Sequence, residues 1–345
     1  MKYLSLLVLV SGISVSSQAK VWRVNNNPGV LADYTATSAA INDPNVLSGD
    51  TIYVEPSAIK YSANGAILNK KLTIIGAGYF VDPANTTYPG NGGLQAVPLE
   101  SEISYFYVAA GAAGSKFMGL NMDGTYFRGA TNITYERIRF TGTFNFESGN
   151  SSNITVRKCF FHNISITQSG GAISDMVIEN TIFSGSATIV LPALTGNNNI
   201  IRNNSFYNNN NATTITNAYF ANNIVGSILQ LNLTNCTIKN NVFQINQTLP
   251  LTASNNKVNI NMADVYVLTG SFDTRLKLKA GSPASGTGLS VGTVINPDCG
   301  AFGGTDPYIP SGIPAIPTIY TFTAPTSIPS GSPTMNITFS TRNNN

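Results

Sequence analysis

Few side chains in this sequence of 345 residues are suited to acid–base or nucleophilic chemistry. His162 is the only histidine, and imidazole is the side chain most often used to move protons near neutral pH. A general base needs a partner that orients it, and the nearest acids downstream are Asp175 and Glu179. His162 is therefore a candidate catalytic residue, although a lone surface histidine needs no function.

Glu136 and Glu179 are the other candidate catalytic residues, because they fall at the same position of a repeat described below. Two turns of a parallel β solenoid would separate them by about 9–10 Å, from the spacing of strands. That distance is near the upper end for the acid pair of an inverting glycosidase. Arg157 holds the same position of the intervening turn and would keep both carboxyls ionised, which is unsuitable for a general acid. We therefore favour a ladder of alternating charges.

Other kinds of site have no clear sequence signal. The chain contains no adjacent pair of acidic residues. Glu100 and Glu102 are the closest acids in sequence, and we interpret them as part of an exposed turn. The three cysteines lie far apart without metal-ligand spacing, and no motif supports calcium binding. We predict no cofactor and no metal.

The composition favours short strands joined by turns. Charged residues make up 10% of the chain, against about 25% in an average protein, so Asn, Thr, Ser and Gly must cover much of the surface. These residues rank low in helix propensity and are common in turns. The formal net charge of +3 is too small for a nucleic-acid-binding surface, and no apolar stretch is long enough for a membrane span.

A repeat with a spacing of 18 to 23 residues runs through the middle of the chain. The first position of each repeat is apolar and is held by Tyr135, Val156, Ile178, Ile201, Phe220 and Ile238. The last position is also apolar and is held by Phe140, Phe161, Phe183, Phe206, Val225 and Phe243. Such columns predict strands that stack their side chains in a solenoid core, with Phe161, Phe183 and Phe206 buried one above another.

Two polar columns accompany the core columns. The second position alternates in charge through Glu136, Arg157, Glu179 and Arg202, which supports the register because like charges would repel. The third position is Asn180, Asn203, Asn222 and Asn240 in the last four repeats. Amides stacked about 4.8 Å apart can hydrogen-bond along the axis, so this column predicts an asparagine ladder.

The chain divides into four parts by composition. Residues 1–19 have the Lys2, apolar stretch and small-x-small ending of a signal peptide. Residues 20–306 form the solenoid, with a short helix at 36–42 as its N-terminal cap. Residues 307–317 are a Pro-rich linker, and residues 318–345 are a tail with two short strands. We expect the tail to cover the C-terminal end of the solenoid near Phe302, or to join a partner by strand addition.

Several motifs resemble those of the pectate-lyase-like right-handed β-helix proteins exported by bacteria. The resemblance covers about residues 21–306. It is carried by the Ala-rich cap with Gly49-Asp50-Thr51-Ile52-Tyr53-Val54, by Leu72-Thr73-Ile74-Ile75-Gly76-Ala77-Gly78, by the Ile-x-Asn-Asn-x-Phe repeats, and by Gly281-Ser282-Pro283-Ala284 with Asp298-Cys299-Gly300-Ala301-Phe302-Gly303-Gly304. It implies an all-β fold: a right-handed parallel β-helix solenoid with an N-terminal helical cap and a short C-terminal β tail.

The same resemblance guides the expected function. Enzymes of this superfamily that cleave acidic polysaccharides use either carboxylates around calcium with an Arg or Lys base, or clustered aspartates with a His and an Arg-x-Lys motif. Neither set is recognisable here, so we expect a secreted or cell-surface protein without catalysis: structural, adhesive or glycan-binding. The alternative is a polysaccharide lyase or glycoside hydrolase. Three carboxylates, or an acid pair with Arg or Lys, converging in a lateral groove would favour the enzyme.

The expected partner is a polysaccharide or another cell-surface component. Tyrosines suit this task, since a ring can stack on a sugar while its hydroxyl stays in water. The candidate ligand-binding residues are Tyr105, Tyr107, Tyr126 and Tyr207. No nucleic acid and no membrane span is expected. Strand-mediated self-association through residues 318–345 is a further expectation.

Overall fold

A computed structural model describes residues 19–207, 211–227 and 230–344 of the chain. The predicted signal peptide, apart from Ala19, lies outside the described residues. Short strands dominate the described part. In chain order they are β1 Val21–Val24, β2 Thr51–Val54, β3 Ile67–Leu68, β4 Thr73–Ile75, β5 Glu102–Ile103, β6 Phe106–Ala109, β7 Lys116–Met118, β8 Asn121–Arg128, β9 Thr131–Glu136, β10 Arg139–Ser148, β11 Ser151–Arg157, β12 Phe160–His162, β13 Ile166–Gln168, β14 Ile173–Glu179, β15 Ile182–Ser184, β16 Ile189–Leu191, β17 Leu194–Thr195, β18 Asn199–Arg202, β19 Ser205–Tyr207, β20 Thr213–Thr216, β21 Ala218–Ala221, β22 Ile224–Val225, β23 Leu231–Thr234, β24 Thr237–Lys239, β25 Val242–Phe243, β26 Thr318–Thr323 and β27 Thr338–Arg342.

Helices are few and short. The α-helices are α1 Thr37–Asn42 and α2 Met262–Val265, and single 3-10 turns occur at Ala110–Ala112, Thr274–Leu276 and Pro310–Gly312. In the part of the chain that the structure describes, no helix has the length and apolar character needed to cross a membrane.

The strands wind into a parallel solenoid of about nine turns. One sheet runs β1-β2-β4-β7-β9-β11-β14-β18-β21-β24, with every pair parallel. The other sheet has two runs, β5-β8-β10-β12-β15-β19-β22-β25 and β3-β6-β8-β10-β13-β16-β20-β23, which share β8 and β10. The strand register confirms the all-β parallel β-helix that the sequence predicted.

A sharp bend allows β8 and β10 to serve both runs of the second sheet. The register between them shifts at Phe140/Thr143, where Asp123-Gly124 faces Thr141-Gly142-Thr143. A Cβ on Gly142 would collide with the backbone oxygen of Asp123, so the close approach of the two strands requires glycine at that position. The bend separates two outward-facing surfaces that are described below.

The apolar columns form the core as predicted. The Phe161 and Phe183 rings are stacked with centroids 5.0 Å apart, and Phe183 and Phe206 are 4.7 Å apart. All three side chains are fully buried. The register pairs Val156 with Ile178, so the first predicted column is also in step.

The asparagine ladder exists, but one residue later than predicted. It is formed by Asn204, Asn223, Asn241 and Asn256, whose amide nitrogens donate to the next side-chain oxygen along the axis at 3.1, 3.0 and 2.9 Å. The predicted column at Asn180, Asn203, Asn222 and Asn240 instead adopts positive φ angles of 48° to 57°. Asparagine tolerates this left-handed conformation, and it directs these residues to the corner between the two sheets.

The two ends of the solenoid are covered differently. Helix α1 buries Thr37, Ala40 and Ile41 over the N-terminal end, which confirms the predicted cap. At the C-terminal end, Leu249, Ala253 and Val258 pack against the core. The expectation that the tail covers this end was wrong. Strands β26 and β27 form an antiparallel hairpin near the opposite end, where the Ala96 nitrogen donates to the Ile319 oxygen at 2.9 Å.

Residues 287–313, called here the flank segment, run back along one corner of the solenoid. Asn240 donates to the Thr287 oxygen at 2.9 Å, Asn180 donates to the Gly303 oxygen at 2.7 Å, and Arg137 donates to the Ile313 oxygen at 2.7 Å. The contacts therefore move toward the N-terminal turns as the chain moves toward its C-terminus. Tyr308, Ser311 and Ile313, at or beside the predicted linker, are buried against this corner.

Candidate functional site

A polar groove lies on the outer face of β5, β8 and β10, before the bend. Its volume is about 570 Å³. It is lined by Ser57, Ala58, Lys60, Asp82, Asn85, Tyr88, Pro98, Leu99, Glu100, Glu102, Asn121, Arg139 and Thr141. The walls come from the loops before β3 and β5, and the floor comes from strands. Successive turns place Glu102, Asn121 and Arg139 side by side, since the register pairs each with the next.

Lys60 joins two carboxylates at one side of the groove. Its Nζ lies 2.8 Å from Glu102 Oε1 and 2.7 Å from Asp123 Oδ1. Burial lowers the pKa of Lys60, but the hydrogen bonds to Asp123 and Glu102 outweigh it, so the pKa is raised overall. The lysine therefore stays protonated at neutral pH and neutralises part of the acidic surface.

Glu100 and Arg139 form a second, deeper pair. Glu100 Oε1 accepts from the Phe80 nitrogen at 2.7 Å, and its Oε2 accepts from Asn121 Nδ2 at 2.7 Å and lies 3.5 Å from Arg139 Nη1. The Arg139 guanidinium lies 4.5 Å from the Tyr88 ring centroid. Asn121 Oδ1 and Arg139 Nε are buried without a hydrogen-bond partner. Our interpretation of Glu100 and Glu102 as an exposed turn was therefore wrong, because both line this groove.

His162 lies just beyond the groove with aromatic neighbours rather than an acid. Its ring centroid is 5.6 Å from that of Tyr88 and 5.2 Å from that of Phe272. Its nitrogens contact Ser184 Oγ at 3.4 Å and Asn163 Nδ2 at 3.0 Å. Burial lowers the pKa of His162, and the charges of Arg139 and Arg275 lower it further. Among the described residues no carboxylate contacts this imidazole, so the expected orienting acids do not reach it.

Glu136 and Glu179 lie on the other sheet, at the ends of β9 and β14. Glu136 is 4% exposed and contacts Lys116 at 2.9 Å and Arg157 at 2.8 Å. Burial raises the pKa of Glu136, but the hydrogen bonds from Lys116 and Arg157 lower it more, so it falls below the usual range. Glu179 accepts two hydrogen bonds from Arg202, at 2.9 and 2.8 Å. The structure brings neither glutamate near His162. The Glu136–Arg157 and Glu179–Arg202 ion pairs form the ladder of alternating charges that the sequence predicted.

Three of the four candidate tyrosines meet on the outer face beyond the bend. Tyr105, Tyr107 and Tyr126, called here the tyrosine cluster, have ring centroids 5.2 to 6.1 Å apart. The Arg128 guanidinium lies 3.6 Å from the Tyr107 centroid, and its Nε donates to Glu147 at 2.6 Å. All three tyrosines are at least partly exposed.

Tyr207 is separate from the cluster. Its ring contacts that of Tyr266 at a centroid distance of 5.6 Å. Tyr207 packs there against a second apolar cluster, most of whose members lie between residues 262 and 308. Sequence position alone did not distinguish Tyr207 from the other three candidate tyrosines. The register does, because Tyr107 pairs directly with Tyr126 on the neighbouring strand.

The groove residues Lys60, Asp123 and Arg139 were missed by sequence reasoning. A partial signal existed for Arg139, since Leu120-Asn121-Met122 and Ile138-Arg139-Phe140 are equivalent positions of the repeat. No such signal exists for Lys60, which is 63 residues from Asp123 and lies outside the repeat.

In the described residues, no group of three or more His, Cys, Asp or Glu side chains is arranged to hold a metal ion.

Comparison with known proteins yields similarity at the level of structure. No protein-family model matches the sequence, and no curated protein matches it either. Among solved structures, the crystal structure of pectate lyase Pel9A aligns with 83% of this chain and 96% of that chain, at 14% identity and a TM-score of 0.44. The assignment of the fold rests on the strand register of this chain itself.

Proposed function

We propose that the protein is an extracellular, non-catalytic β-helix that binds polysaccharide on the surface formed by the tyrosine cluster and the polar groove. The observation that carries this proposal is the tyrosine cluster: three partly exposed rings on neighbouring strands, held in place by each other and by Arg128. Aromatic rings bury a large area at little entropic cost when their orientation is already fixed. The location outside the cell is supported by the predicted signal peptide at residues 1–19.

The groove and the tyrosine cluster lie on the same strands. On β8, Asp123 beside the groove and Tyr126 in the cluster are three positions apart on either side of the bend, so their Cα atoms are at most about 10 Å apart. A chain of sugars that follows the bend would thus contact both surfaces. The rigid solenoid fixes their separation.

The proposal is tested by screening the purified mature chain on a glycan array and measuring the best ligand by calorimetry. Tyr126→Ala and Tyr105→Ala should each weaken binding about tenfold or more, the loss typical of a central contact. Tyr320→Ala is the matched control, because that tyrosine is exposed on the tail hairpin away from the cluster. Equal affinity of all three variants and the parent would disprove binding at the cluster.

An enzyme is the second candidate, favoured by one observation. Lys60 with Glu102 and Asp123, and Arg139 with Glu100, place carboxylates and cations together in a lateral groove, which is the arrangement expected of an enzyme. The enzyme stays second because both carboxylates raise the pKa of Lys60, which is unfavourable for a general base. A polysaccharide lyase or glycoside hydrolase would use such groups as acid and base. Incubation with polysaccharides, followed by assay of reducing ends and unsaturated products, tests this. Turnover that disappears in Lys60→Met or Glu102→Gln would replace the non-catalytic proposal.

The tail hairpin is proposed as a self-association site. In the described residues β26 and β27 pair only with each other, and Ile319, Phe322 and Phe339 are 47%, 56% and 61% exposed. Apart from the bond from Ala96 to Ile319, no other described strand pairs with the edges of this hairpin, and an unpaired strand edge can accept another strand. Sedimentation of the full chain and of a chain ending at residue 317 should then differ in oligomeric state.

A further inference from the structure

We infer that the polar groove takes a glycan that carries free amino groups, such as a chain of glucosamine units, and rejects chains of uronic acids. The inference rests on the proposed glycan binding and specifies its ligand class. It starts from the balance of charges and of hydrogen-bonding groups in the groove.

The groove is acidic on a chain that is basic overall. Its lining contains the carboxylates of Asp82, Glu100 and Glu102 and the cations of Lys60 and Arg139, a net charge of −1. Asp123, beside the lining and in contact with Lys60, adds a fourth carboxylate and brings the local net charge to −2. The whole chain has a formal net charge of +3. A ligand carboxylate would meet like charges in a concave site, where their field is concentrated. A ligand ammonium would be attracted.

Hydrogen bonding points in the same direction. Lys60 contacts one oxygen each of Glu102 and Asp123, and among the described residues their second oxygens, Oε2 and Oδ2, accept from no protein donor. Asn121 lines the groove, is 3% exposed, and has an unpartnered Oδ1. On the donor side, Arg139 Nε is buried without a partner and Arg139 Nη1 lies 3.5 Å from Glu100, while Lys60 already contacts both Glu102 and Asp123. The free oxygens of Glu102 and Asp123 can accept hydrogen bonds from an ammonium group, which has three donors and no acceptor.

The unpartnered atoms make this more than a cluster of surface acids. Asn121 and Arg139 are 3% and 7% exposed, and a buried polar atom without a partner is unfavourable until a ligand or water satisfies it. Asn121 is already fixed by its bond to Glu100, and Arg139 by the rings of Phe80 and Tyr88. The site is thus held in place before any ligand arrives.

The experiment compares three hexasaccharides by calorimetry on the full mature chain: glucosamine, N-acetylglucosamine and galacturonate. We expect glucosamine to bind at least about tenfold more tightly than galacturonate at low salt, and this ratio to shrink as salt screens the charges. Glu102→Gln and Asp123→Asn should each weaken glucosamine binding several-fold without weakening that of the neutral hexamer. Asp264→Asn is the matched control, because that carboxylate is exposed in a remote ion pair with Lys279.

The outcomes separate this inference from the proposed function. Galacturonate binding as tight as glucosamine binding overturns the inference, while Tyr126-dependent glycan binding still stands. No binding of any hexamer, together with no hit on the array, overturns both. Hexalysine binding as tightly as glucosamine, with no N-acetylglucosamine binding, identifies a general polycation site and also overturns the inference.

Discussion

Replacing Phe183 by Ala tests whether the stacked phenylalanines hold the solenoid together. Phe183 is fully buried between Phe161 and Phe206, at centroid distances of 5.0 and 4.7 Å and interplanar angles of 14° and 9°. Truncation of a buried Phe typically lowers the free energy of unfolding by about 3–5 kcal/mol, and each ring pair adds about 0.5–1.5 kcal/mol beyond burial. Because two pairs are lost at once, we expect a loss in the upper half of that range.

Urea denaturation followed by two probes measures this loss. Circular dichroism reports on all strands, whereas the fluorescence of Trp22, the only tryptophan, reports on β1 at the N-terminal end. Coincident transitions would justify a two-state analysis. Phe339→Ala is the matched control, since its ring is 61% exposed and we expect a change within about 0.5 kcal/mol. A loss below about 1 kcal/mol for Phe183→Ala, or one equal to the control, would refute the argument.

Two further predictions concern polar groups. Asn223→Ala should lower the free energy of unfolding by at least about 2 kcal/mol, because it leaves the buried Ile201 oxygen and Asn204 nitrogen unpaired. The control Asn232→Ala, at an exposed position, should have little effect in the same urea titration. Burial lowers the pKa of His162 in the folded state, so on acidification from pH 7.5 to 5.5 the unfolded state binds a proton first and stability falls. His162→Gln should reduce this loss, and identical pH profiles for the two proteins would show that His162 does not contribute.

The core of the fold was predictable because the same pattern of apolar residues recurs in each turn. Each turn places an apolar residue at the same two positions, so Phe161, Phe183 and Phe206 could be aligned without a structure. The asparagine ladder was misplaced by one residue for a related reason. Pairs such as Asn203-Asn204 and Asn222-Asn223 contain the same residue type twice, and composition does not distinguish the buried member from the left-handed one.

The groove was only partly predictable, because Asn121 and Arg139 belong to the repeat but Lys60 and Asp82 do not. Lys60 reaches Glu102 and Asp123 from a loop before β3, and no local pattern encodes that pairing. The candidate acids Glu136 and Glu179 were recognisable only because they repeat. For these two acids the repetition indicates a structural role, since each pairs with an arginine of the next turn.

The flank segment has a consequence for the order in which the chain folds. Turns of a repeat protein normally contact only their neighbours, so they can form and fray one at a time. Here contacts with Asn180 and Arg137 span 123 and 176 residues, and the bond between Tyr79 and Tyr308 spans 229. During synthesis the turns can stack as they emerge, but this corner stays open until nearly the whole chain is available. Once closed, the segment couples distant turns, so we expect the array to unfold as one cooperative unit rather than to unwind from its ends.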